Sequence, residues 1–388
     1  MGFMKLRAYL AKTPVGSGSR SGSGGGSVTG GPLVSSIMIV IVLMVVVTTT
    51  VSYSAIQAAG SSSTGSVTTS LSSASSASTS SAAVTLRWSP SVSYPTGVWT
   101  QSCVESGGYI YCVGGLSGPN TITDSLSSVY FAPISPSGVG TWASTTSYPT
   151  TIRSESCVTA SSAIYCVGGY AGSTLSDAVY YARLSSSGVG PWTNTTSYPF
   201  PLWNTACVSS GNGIYCVGGG IASTSSLSSS SAVYFAPFSS SGVGRWVSTT
   251  SYPVGVKQES CAASGTDVYC VGGYESTDVY YAALSTSGVS DWGKTTGYPF
   301  TVGANLASCV TMGDALYCVG GHTGANVSSA VYHASISPSG VGQWLNDTGY
   351  PVTVWGESCV ASGGQIYCVG GETESGAIAN TVSVSHPS

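Results

Sequence analysis

Twelve cysteines are the residues of this 388-residue chain whose spacing most plainly permits chemistry. They form six pairs, Cys103–Cys112, Cys157–Cys166, Cys207–Cys216, Cys261–Cys270, Cys309–Cys318 and Cys359–Cys368, each with eight residues between its members. Three chemistries compete: disulfides, zinc ligation, or free buried thiols acting as small apolar groups. Zinc fits poorly, because C-x8-C is not a usual ligand spacing and only His322, His333 and His386 could assist. Six matched pairs suit an oxidising compartment, so a disulfide is expected in each.

A second set of residues stands just ahead of each pair. Four positions before the first cysteine the copies read Trp99, Arg153, Trp203, Lys257, Asn305 and Trp355. Two positions before it they read Gln101, Glu155, Thr205, Glu259, Ala307 and Glu357, with Glu in alternate copies. The residues around them repeat, whereas these vary. On an extended strand, positions two apart share one face. Aromatic rings beside carboxylates and amides suit sugar binding, since rings offer apolar faces and polar groups fix orientation. Three carboxylates could instead hold a hard cation such as calcium. Plain packing by Trp beside solvated Glu is the bland alternative, and it carries equal weight.

The elements that position these residues are hairpins. In "SESCVTASSAIYCVGGY" (154–170), Val, Ile and Tyr suit a pleated surface and small residues punctuate the middle. Setting Cys157 opposite Cys166 aligns Val158 with Tyr165 and Thr159 with Ile164, leaving Ser161-Ser162 as a two-residue turn. The other turns are Gly107-Gly108, Gly211-Asn212, Gly265-Thr266, Gly313-Asp314 and Gly363-Gly364. Five of the six begin with Gly, which predicts type II′. Counting outward from the turn, the cysteines occupy a non-hydrogen-bonded pair, where Cα atoms approach to roughly 4.5 Å. A disulfide tolerates roughly 4.4–6.8 Å, so a cross-strand bridge is possible in every copy.

First-cysteine spacings of 54, 50, 54, 48 and 50 mark a repeat near fifty residues. One unit, "SYPTTIRSESCVTASSAIYCVGGYAGSTLSDAVYYARLSSSGVGPW", holds four strand candidates: two Cys strands, a "VYYA" strand and a short strand at Trp. Four strands per fifty-residue unit point to a β-propeller blade. The order Y-P, hairpin, I-Y-x-V-G-G, V-Y-Y/F-A and G-x-W resembles the kelch repeat. The likeness covers roughly residues 84 to 385. Two departures stand out: cysteines replace the small or aliphatic residues usual in kelch strands, and the first strand lacks the family's frequent Arg and His. The resemblance implies an all-β, six-bladed kelch-like propeller over 84–388. It also places the varying positions near the central axis on one face, making Trp99, Gln101, Arg153, Glu155, Trp203, Lys257, Glu259, Trp355 and Glu357 candidate ligand-binding residues. The first unit opens with "VTLRW" around Trp88 and the last ends in "AIANTVSVS" without a Trp strand. The N-terminal strand is therefore expected to complete the last blade and remove the open edges.

Composition narrows the function. Only 6% of residues are charged, against the ~25% of ordinary soluble domains. Ser, Thr and Gly carry the polar surface, which suits an external setting, acidic or hot. From Arg87 onward six basic residues face fourteen acidic ones, a net of −8, so no basic stripe invites nucleic acid. Lys5, Arg7, Lys12 and Arg20 are the only charges in the first eighty-six residues.

Residues 1–32 thus form a basic, Gly/Ser-rich leader. Leu33 to Tyr53 is uncharged and long enough for a transmembrane helix, which needs ~20 residues. The basic leader marks the cytoplasmic side, placing the propeller outside the cell. A cleaved signal with Ser52 and Ser54 at the −3 and −1 sites is the competing reading; the long leader favours a retained anchor. Residues 54–83, rich in Ser and Thr, read as a stalk or plain flexible linker. Asn194, Asn326 and Asn346 open N-x-[ST] sequons, weak candidates for glycans.

Enzymatic signatures are sparse. Sialidase propellers carry S-x-D-x-G-x-T-W loops, whereas this chain reads "SPSGVGTW" or "SSSGVGPW" without the Asp. Arg87, Arg153, Arg183 and Arg245 are the only arginines available to an anionic sugar, and no kelch-oxidase-like Tyr/His copper set is evident. The expectation is a membrane-anchored binding or adhesion module for glycan or surface protein, with no cofactor. An exported sialic-acid epimerase-like or sialidase-like enzyme is the alternative.

Overall fold

The structure, a computed structural model, describes residues 85–211, 213–222, 227–300, 308–322 and 326–388. The leader, the Leu33–Tyr53 segment, the stalk, Asn212, Asn305 and Ala307 lie outside the described residues. No helix among the described residues is long and apolar enough to cross a membrane.

Each cysteine hairpin takes the register its turn demands. Cys157 pairs with Cys166, Val158 with Tyr165 and Thr159 with Ile164, and the other five hairpins repeat this. All six disulfides form inside their hairpins, with Cα atoms 4.0–4.1 Å apart. The second cysteine of every pair is fully buried, so the bridges face packed interior.

The turns correct one expectation. In Gly107-Gly108, Ser161-Ser162 and Gly363-Gly364 both central residues have positive φ, the mark of type I′. Gly265-Thr266 and Gly313-Asp314 have positive φ only at Gly, as type II′ requires. Both types match the strand twist, so the register is the same either way.

Outward from five of the hairpins lies a seven-residue strand such as Val129–Ser135 or Val179–Ser185. Two-residue strands at the Gly-Val dipeptide and just after Trp then pair with its outer edge. Five sheets follow this order. The sixth runs Leu86–Pro90, Val382–Pro387, Gln365–Val369, Ser358–Ser362, so the first strand of the array closes the last sheet, in register from Leu86–Pro387 to Pro90–Ser383. The inner strands follow one another in a closed circle, from Ser102–Ser106 through Ser156–Ala160 and onward to Ser358–Ser362, which packs back on the first. This is a β-propeller.

Its cores lie between neighbouring sheets. Val158, Tyr165 and Val167 of one sheet pack with Ile214, Cys216 and Ala236 of the next. Trp142, Trp192, Trp246, Trp292 and Trp344 each meet the Tyr of their unit's Tyr-Pro edge-on at 4.9 Å. Their indole N–H groups donate to carbonyls of the same entry loops. Trp88 of the closing strand packs on Tyr350 in the same way, 5.0 Å away. The first Gly of Val-Gly-Gly lets the neighbouring unit approach closely. At Gly370 φ is +70°, and a Cβ would lie 2.2 Å from the Val98 carbonyl oxygen.

Candidate functional site

The inner strands are joined round the axis by hydrogen bonds. Thr100, Ser154, Asn204, Gln258 and Gly356, three residues before five of the six first cysteines, all have φ between +45° and +66°. Four of these left-handed residues pass a main-chain bond to the previous unit: Thr100 N–H to Gly356, Ser154 to Thr100, Asn204 to Ser154 and Gln258 to Asn204, at 2.8–3.2 Å. A deeper tier uses the serine next to the cysteine. Ser102, Ser156, Ser260, Ser308 and Ser358 accept from the cysteine amide of the following unit at 2.9–3.0 Å. An axial cavity of about 230 Å³ is lined by these two tiers and by the residues between them, Gln101, Glu155, Thr205, Glu259 and Glu357.

The left-handed residue separates what strand alternation would put on one face. Positions four and two before the cysteine stand on either side of it, and their side chains part. The residues two before turn into the junctions between sheets. Glu155, Glu259 and Glu357 are 7%, 3% and 6% exposed, and their carboxylate oxygens are buried without a donor in hydrogen-bonding geometry. Burial pushes each carboxyl up to about 8. Nearby amides pull the other way, those of Glu155 and Ser102 and then Arg153 at Glu155, of Glu259 and Ala206 at Glu259, and of Glu357 and Ser308 at Glu357. Gln101 and Thr205 occupy equivalent places; Gln101 donates to the Val369 carbonyl at 2.7 Å and Thr205 to Val217 at 2.8 Å.

The residues four before form a rim of rings and cations. Trp99 and Trp355 are half-buried with centroids 5.1 Å apart, and His322 meets Trp355 at 5.6 Å. The Arg153 guanidinium lies 4.2 Å over Tyr170 and donates to the Gly172 carbonyl at 2.9 Å; burial lowers its pKa. Tyr170 packs on Trp203 at 5.6 Å, and Lys257 Nζ lies 5.8 Å from Trp203 and 5.4 Å from the half-exposed Tyr274. Such contacts are worth ~0.5–2 kcal/mol each.

The structure thus gathers Trp99, Arg153, Trp203, Lys257 and Trp355 into one rim, while Gln101, Glu155, Glu259 and Glu357 belong to the lining of the axial cavity. Among the described residues no three His, Cys, Asp or Glu side chains converge as a metal set, so the calcium alternative has no site there. Tyr170, Tyr274 and His322 escaped the sequence reading. They stand directly after Val-Gly-Gly, where the copies read Leu116, Tyr170, Gly220, Tyr274, His322 and Glu372. Variation between copies, applied at that column, marks them too. Asn194, Asn326 and Asn346 are exposed, as an acceptor must be.

No protein-family model matches the sequence, and no curated protein resembles it. Among solved structures, one titled "Structure of YjhT" is similar over 76% of this chain and 95% of its own, with a TM-score of 0.62 and 12% identity. At that identity the likeness establishes the propeller fold and nothing about chemistry. In all, 753 solved chains are similar.

Proposed function

We propose that this protein is an exported, membrane-anchored, six-bladed kelch-like propeller that binds carbohydrate or a surface protein through the rim at one end of its axis. The observation that carries the reading is the run of contacts Arg153–Tyr170–Trp203–Lys257–Tyr274, with Trp99 and Trp355 on the other side. Flat rings with partly exposed faces, flanked by cations and an axial cavity edged by Thr100, Ser154, Asn204 and Gln258, supply apolar stacking and hydrogen bonding together. Six disulfides in a chain with 6% charged residues suit work outside the cell.

The rival reading, an exported enzyme of the epimerase or sialidase kind, draws on the raised carboxyls. Against it, each of the three turns into its own junction, and Arg153 is engaged by Gly172 and Tyr170. No Arg–Glu ion pair occurs among the described residues. A glycan-array screen of the full-length protein, run beside a glycosidase and epimerase assay, tests both. Retention of glycans without turnover is expected; turnover of any sugar would replace this reading by the enzymatic one.

A further inference from the structure

We propose that Glu155, Glu259 and Glu357 are neutral carboxylic acids that donate hydrogen bonds across the blade junctions, clips that hold the ring closed in acid and release it in alkali. The acceptors are the carbonyls of Val113 and Val319, and that of Val217, which also takes the Thr205 hydroxyl.

Gln101 supplies the template. Its Nε2 donates to the Val369 carbonyl at 2.7 Å, across the junction between the last and first blades. Measured from a Cβ built on the first Gly of the preceding Val-Gly-Gly, that Nε2 lies 3.1 Å from Gly370. Oε1 of Glu155, Glu259 and Glu357 lies 3.2, 2.7 and 2.8 Å from the same point at Gly114, Gly218 and Gly320. One atom of each Glu therefore occupies the place of an amide donor. An ionised carboxylate there would set anionic oxygen against a backbone carbonyl, acceptor against acceptor. A neutral acid has the shape and polarity of the Gln101 amide: one oxygen accepts and the other donates.

Backbone amides lie near each carboxyl and favour its charged form, those of Glu155 and Ser102, of Glu259 and Ala206, and of Glu357 and Ser308, but burial outweighs them at all three. Glu155 is faced by the hydroxyls of Tyr94 and Tyr148 and by Arg153, which is already bonded to Gly172. Glu259 is faced by Tyr198 and Tyr252, and Glu357 by Tyr298 and Tyr350. The six Tyr-Pro tyrosines are thus divided into three pairs, each pair around one Glu, which accounts for the alternation of Glu along the copies. Burial raises all six tyrosines, so they remain neutral over the range in which the acids titrate.

The direction of the pH effect follows. A carboxyl raised from 4.5 to about 8 on folding binds its proton more tightly in the folded chain. Its contribution to stability is whole below 4.5 and is withdrawn as pH climbs to about 8.

The test uses the full-length chain and two readouts. Infrared spectra at mildly acidic pH should show the carbonyl band of a buried neutral carboxylic acid. The band should weaken in each of Glu155→Gln, Glu259→Gln and Glu357→Gln and fade with rising pH. The thermal midpoint of the wild-type chain should fall between about pH 5 and about pH 9. The triple Gln variant should keep its acid-side midpoint and show a flatter profile. A wild-type spectrum without the band, or a triple variant as pH-sensitive as wild type, overturns the proposal. Should the triple variant not fold, the wild-type spectrum and the three single variants decide it.

Discussion

The backbone N–H of Leu86 donates to Oδ1 of Asp347 at 2.8 Å, joining the first described strand to the penultimate unit. At four other seams the equivalent position is Thr145, Thr195, Thr249 or Thr295, whose hydroxyl accepts from Val189, Val243, Val289 or Val341 at 2.7–3.0 Å. The closing seam alone among these carries a carboxylate, which also accepts from Thr348 and lies 3.2 Å from His333 Nδ1. A charged acceptor makes a stronger bond than a hydroxyl. It stands where closure depends on a strand far away in sequence.

Asp347→Ala should therefore destabilise the propeller by about 1–3 kcal/mol, because it leaves the buried Leu86 amide unpaired. Asp347→Thr should recover part of the loss, since Thr does this work at four seams. Chemical denaturation measures both, and hydrogen exchange at Leu86–Pro90 should quicken first in the Ala variant. An unchanged denaturation midpoint for Asp347→Ala would remove the latch role.

Peptide mapping of the unreduced protein should recover six links, each within one hairpin. The second cysteines, fully buried, should resist alkylation after mild reductant until the chain unfolds. Replacing both Cys207 and Cys216 by Ser should cost at most ~2–3 kcal/mol, because the closed loop is short and the hairpin is already local. A link between blades would contradict the register.

At the rim, Trp355→Ala should abolish glycan retention. Trp355 is only half-buried, so the stability cost should stay below the ~3–5 kcal/mol of a fully buried aromatic. Thermal unfolding and ligand binding on that single variant separate a binding ring from a packing one. Destabilisation without any binding defect would defeat the rim as a site.

For the proposed anchor, membranes washed in high salt should retain a chain that still begins Met-Gly-Phe. A soluble product with a mature N-terminus near Ala55 would show a cleaved signal instead.

Much of this fold was legible because its rules are local. A two-residue turn fixes the parity of every pair beyond it, so Cys157 had to face Cys166 once Ser161-Ser162 was the turn. Period and strand count were carried by the repeat, and closure by a Trp strand missing at one end and spare at the other. Turn type was less legible, since Ser161 and Ser162 adopt positive φ that their residue type does not announce.

The site was legible only as a set of columns. Variation between copies found Trp99, Trp203, Trp355 and the three Glu, but a period of two assigned them to one face. Left-handed backbone at Thr100, Ser154, Asn204, Gln258 and Gly356 undoes that, and four of these residues are not Gly. Their conformation is imposed by the circle of main-chain bonds round the axis, which exists only when blades from the whole array stand side by side. Which residues pair within a blade could be read from the chain alone, because those contacts lie within a few residues of a turn. Which way a side chain points at the axis, and whether a glutamate there is exposed or buried at a blade junction, was decided by the assembled ring, because the facing residues belong to the neighbouring unit, about forty residues away in the chain.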